Sequence, residues 1–157
     1  MEPKKIFESA QQFEQTANFL AQQLGKPSSN MPVAPFIVNT TFSIELYLKC
    51  LLVIETKKQP KKTHQLHTLF NLLSSNSKKD ITNEFNKLMN AHPITSMAKQ
   101  HIPHLKTDID SVLLGMNQAF EQWRYISMDG SPESSVIGSD VLITSIKKRI
   151  NSLRGSQ

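Results

Sequence analysis

The chain has one cysteine, Cys50, and five glycines in 157 residues. A lone cysteine excludes an intrachain disulfide. Set among Leu48, Leu51 and Leu52, its thiol reads as a small buried hydrophobe and not as a nucleophile. So few glycines, with 38% hydrophobic residues, favour an ordinary globular protein over a disordered chain. Long apolar runs are missing too. The densest stretch, 42–54, is interrupted by Glu45 and Lys49 and is too short to span a bilayer. Met1-Glu2-Pro3-Lys4-Lys5 leads into a Gln-rich amphipathic run where a signal peptide would place an apolar core, so the cytoplasm is the expected compartment. No segment alternates long enough to demand a sheet, and there is no internal repeat. The G-x-S-x-G nucleophile elbow is absent. Gly25-Lys26-Pro27-Ser28-Ser29 lacks the first glycine and preceding strand of a phosphate loop, so it reads as a helix stop and linker.

What remains is helical periodicity. Ile6, Ala10, Phe13, Ala17, Leu20 and Leu24 share one face of a first helix over 5–24. The second, 36–56, is apolar nearly all round, as befits the central helix of a bundle. Shorter segments follow at 66–73 and 78–90, and Pro93 and Pro103 bracket an irregular stretch. Helices over 107–125 and 140–153 complete the chain, the last with Ser139 as its cap. The expectation is a single all-α domain, 1–157, built as a bundle of four long and two short helices. Phe13, Leu20, Leu46, Leu51, Phe70, Leu113, Phe120 and Ile146 are its expected core.

Eighteen Lys and Arg against thirteen Asp and Glu give a net charge of +5. Much of the excess lies in Lys57, Lys58, Lys61 and Lys62, a cluster that either steers phosphate backbones or simply solvates a loop. Two His-x-x-His pairs, His64/His67 and His101/His104, lack accompanying acids or thiolates, and Pro103 keeps the second out of a regular helix. Neither metal nor cofactor is expected.

One polar constellation stands out. Glu45 and Lys49 lie about 40° apart on the wheel of the most apolar helix, where a charge pair is costly unless its bonding is completed. His64, Trp123, Arg124 and Tyr125 are the candidates to join it. Two readings are open. The charges form an interhelical network that fixes register, with His64 capping the third helix, or Lys49, His64 and Arg124 present donors to a phosphate beside a stacking ring of Trp123 or Tyr125.

The Glu-Leu-Tyr-Leu-Lys run (Glu45 to Lys49), the His-x-Leu start of the third helix (His64, Leu66) and Phe120-x-x-Trp-Arg-Tyr resemble the HEPN family of small prokaryotic helical-bundle domains. The resemblance spans about residues 36–125. It implies a helical bundle, a homodimer, and a setting in toxin–antitoxin or other defence systems. Active relatives are metal-independent ribonucleases using an arginine followed four to six residues later by a histidine. Neither Arg124 nor Arg149 has that histidine, so the resemblance carries over the fold and dimer but no catalytic residues. The expected function is binding of RNA, a nucleotide or a partner protein. A ribonuclease using His64 and a purely structural dimerisation unit are the alternatives. Phe7, Phe19 and Val141, lying outside the main stripes, are the candidates for a dimer surface.

Overall fold

The computed structural model describes residues 2–24, 32–124 and 136–155, with 119–124 as backbone only. Among these residues the chain is all-α: α1 (Pro3–Leu24), α2 (Val33–Thr56), α3 (Leu66–Asn71), α4 (Ser75–Ala91), α5 (Pro93–His101), α6 (Ile109–Arg124) and α7 (Ser139–Arg154). α2 is the hub. α1 lies along one side of it, α7 along another, and α3 and α6 cover a third, while α4 packs against α7. Ile44, Tyr47, Leu48, Cys50 and Leu51 of α2 are completely buried. At 24 residues the helix is longer than the apolar run within it suggests, and by length and composition it could cross a membrane. Yet 67% of its most apolar window is buried in the bundle, as a core helix requires.

Helix boundaries follow from capping. α2 starts at Val33, two residues before Pro35, because a first-turn proline gives up an N–H that has no intrahelical partner. α4 starts at Ser75 with Ser74 as N-cap, whose hydroxyl accepts from the Ser77 N–H at 3.2 Å. α7 corrects the expected cap: Gly138, at φ +85°, holds the N-cap position and Ser139 is the first helical residue. A Cβ on Gly138 would lie 3.1 Å from the Met89 thioether, so both conformation and space select glycine. α5 is a second correction. Pro93 occupies its first turn, where proline favours helix, and the stretch runs regularly until Pro103 forbids continuation past Ile102.

Of the expected core, Leu51, Phe70, Leu113 and Ile146 are buried. Phe13, Leu20 and Leu46 are corrections. Ala10 and Ala17 form the line where α1 approaches α2, and Phe13 is displaced to the rim. There it stacks on Phe42 at 5.4 Å and stays 36% exposed, while Leu20 and Leu46 are half-buried. The Phe120 side chain lies outside the described residues. Phe7 and Val141 are also corrected: both belong to the core of one chain, Phe7 edge-on to Tyr47, which leaves Phe19 exposed.

Candidate functional site

The Glu-Leu-Tyr-Leu-Lys run points its polar groups in two directions, because alternate positions on a helix face opposite ways. Tyr47 turns towards α1 and α7. Its hydroxyl donates to Glu14 at 2.5 Å, and the Lys147 ammonium donates to both Glu14 oxygens at 2.9 Å. Burial pushes the Tyr47 phenol far above its ordinary range, and the hydrogen bond and charge of Glu14 push the same way. The phenol therefore stays protonated and clamps three helices together. Glu14 was not among the residues singled out from sequence; an acid between Phe13 and Ala17 was the available signal. One turn on, the Cys50 Sγ–H donates to the Pro3 carbonyl at 3.3 Å, and burial pushes its pKa to about 11. The inert thiol expected from sequence is the one found.

Glu45 and Lys49 turn the other way. The Glu45 side chain is 5% exposed and accepts from the Lys49 ammonium at 2.7 Å. The loop 57–65 then returns along α2 and brings His64 back to the level of Glu45, with Nδ1 3.1 Å from both carboxylate oxygens. An ionised carboxylate only accepts, so Nδ1 carries a hydrogen and the ring is held in one orientation. Nε2 is left on a ring whose side chain is 67% exposed. His64 is thus not the cap of α3. Gln65 holds that position, and the Leu66 N–H donates to Asn117 Oδ1 of α6 at 2.7 Å.

Three of the six constellation residues therefore converge: a buried acid, a half-buried ammonium and an exposed imidazole. Trp123 and Arg124 are placed by backbone alone on the last turn of α6, their side chains lie outside the described residues, and so does Tyr125. Thr41, one turn before Glu45, is buried with no hydrogen-bond partner for its hydroxyl among the described residues. Lys57, Lys58, Lys61 and Lys62 are all exposed on the loop that ends at His64. Lys57 takes the left-handed conformation at φ +56° and closes α2 with an N–H bond to the Val53 carbonyl.

The histidine pairs do not gather. His67 bonds Asp110 at 3.1 Å, away from His64, while His101 bonds its own helix at the Met97 carbonyl. Among the described residues no three metal-binding side chains meet. Chemically, the arrangement sets a half-buried ammonium and an exposed imidazole on one buried carboxylate. Comparison with known proteins gives no match to a family model, a curated protein or a solved structure.

Proposed function

We propose that this chain is a HEPN-like helical module that binds RNA or a nucleotide through phosphate contacts at Lys49 and His64, without catalytic turnover. It acts as a homodimer in a toxin–antitoxin, defence or other nucleic-acid-related system, as the sequence resemblance implies. One observation carries the reading: buried Glu45 fixes an exposed imidazole at the end of a loop bearing four lysines. A carboxylate used only for register would not need an exposed partner, whereas a donor aimed at a ligand must be both exposed and oriented. Titration of a short RNA and of a nucleotide into the protein tests it. Binding should weaken at least tenfold in His64→Ala and in Lys49→Met. Undiminished affinity in both variants would refute the site.

The same geometry favours a second reading. With Glu45 on Nδ1, the ring's outward Nε2 is left exposed to exchange a proton with a ribose hydroxyl, the role a general base has. RNA cleavage in the presence of a chelator, abolished by His64→Ala, would select the ribonuclease. No cleavage, with binding intact, selects the silent module. Binding of neither ligand, together with a tight protein partner, selects the purely structural unit.

A further inference from the structure

Charge along this chain is segregated in a way that only the fold makes visible. Between Glu55 and Asp80 there are 24 residues without a carboxylate, and they include six lysines. Packing brings three other segments to the same end of the bundle. The Cys50–Pro3 hydrogen bond places the start of α1 there, with Lys4 and Lys5. The Arg154 guanidinium lies 4.4 Å over the Phe7 ring, so α7 ends at the same level. The Glu55 carboxylate accepts from the Ser74 N–H and from the hydroxyls of Ser74 and Ser77, which docks the start of α4, with Lys78 and Lys79, beside the end of α2. Arg149 joins through Ser77 and Asp80.

Ten of the eighteen cations and four acids, Glu2, Glu8, Glu55 and Asp80, thus lie on the segments gathered at this end, a net of six positive charges when the whole chain carries five; the lysine-rich segment also reaches Glu45 through His64 and Asp110 through His67. The rest of the molecule is close to neutral. The acids here are already engaged: Glu55 by three hydrogen bonds, Asp80 by Arg149, and Glu2 and Glu8 by Lys5 and Lys4. None of the four loop lysines takes part in an ion pair among the described residues.

The character of the surface selects its partner. Single-stranded nucleic acid is held by stacking on exposed rings as well as by charge. At this pole the described rings, Phe7, Tyr47 and Phe70, are all buried. A membrane would call for exposed apolar side chains between the lysines; of the large exposed hydrophobics only Leu72 is near, while Ile94, Met97 and Ile102 lie on or just past α5. A duplex keeps its bases inside and presents phosphates alone, which such a surface matches. We propose that this basic pole binds the phosphate backbone of a nucleic-acid duplex irrespective of sequence. The proposal rests on the phosphate-binding reading above only in sharing the loop lysines, and it needs neither Glu45 nor His64.

Fluorescence anisotropy on the full-length protein tests it, using a 20-base-pair RNA duplex, a DNA duplex of the same length, single-stranded oligo(U) of equal charge, and vesicles containing phosphatidylserine. Duplex affinity should exceed that for oligo(U). It should fall a few hundredfold between 50 and 200 mM salt, as about four to five neutralised phosphates require. Lys57→Glu/Lys58→Glu should lose at least tenfold. Lys99→Glu/Lys106→Glu, with the same change in net charge on and beyond α5, should lose less than twofold. Preference for one duplex names the source of the phosphates. Equal losses in the two double variants, tighter binding of oligo(U) or tighter binding of vesicles would each overturn the proposal. Oligo(U) binding that depends on His64, with no duplex binding, would overturn it while leaving the function proposed above intact.

Discussion

Individual side chains in the core set two different balances. Glu45 is buried with its carboxylate shared between Lys49 and His64. Lys49→Met removes its closer donor and leaves a nearly buried charge on one imidazole, which should cost about 2–3 kcal/mol, measurable by urea denaturation. Thr41 is the opposite case. Its hydroxyl is buried and unpaired among the described residues, so Thr41→Val, which keeps the shape and removes the polar atom, should raise stability by about 1 kcal/mol in the same measurement. Cys50 offers a readout of both. With its pKa pushed to about 11 it should resist Ellman's reagent at pH 8 in the native protein and react fully once urea exposes it.

Elements were legible in the sequence wherever one face carried a continuous stripe. Leu113 and Met116 on α6 and Leu142, Ile146 and Ile150 on α7 are fully buried, and the 3.6-residue period alone was enough to find them. α5 was not legible, since a proline at the start of a helix and a proline that breaks one look alike until the chain's direction is known. The site was half legible. Glu45 and Lys49 are four residues apart, a local spacing, whereas the return of His64 to Glu45 depends on the path of a loop, and the basic pole depends on segments more than 100 residues apart. Caps give two predictions at this scale. Gly138→Ala forces a positive φ on alanine and crowds Met89, so it should cost about 1–2 kcal/mol in thermal unfolding. Glu55 works through its three hydrogen bonds: burial acts to raise its pKa, but the bonds from Ser74 and Ser77 and the charge of Arg149 prevail and hold it below the ordinary carboxylate range. A lowered folded pKa means stability that is present above the unfolded value, near about 4.3, and lost as pH falls through the folded one. Glu55→Gln should therefore flatten the acid limb of the Tm–pH curve.

At the scale of the whole molecule, association is the property to measure. Phe7 and Val141 are committed to the core, so the dimer proposed above would draw on the apolar groups left outside it, such as Phe19 and the Phe13–Phe42 pair. Light scattering should give twice the 17.8 kDa of one chain, and Phe19→Asp should shift that mass towards one chain without lowering the melting temperature. The left-handed turn at Lys57 has a consequence of its own. A side chain there holds a conformation that glycine adopts freely, so Lys57→Gly should relax the backbone and stabilise the fold by about 0.5–1 kcal/mol. The same change removes one ammonium from the basic pole. Stability and polyanion affinity should therefore move in opposite directions at this one residue, so that fold and charge make competing demands on it.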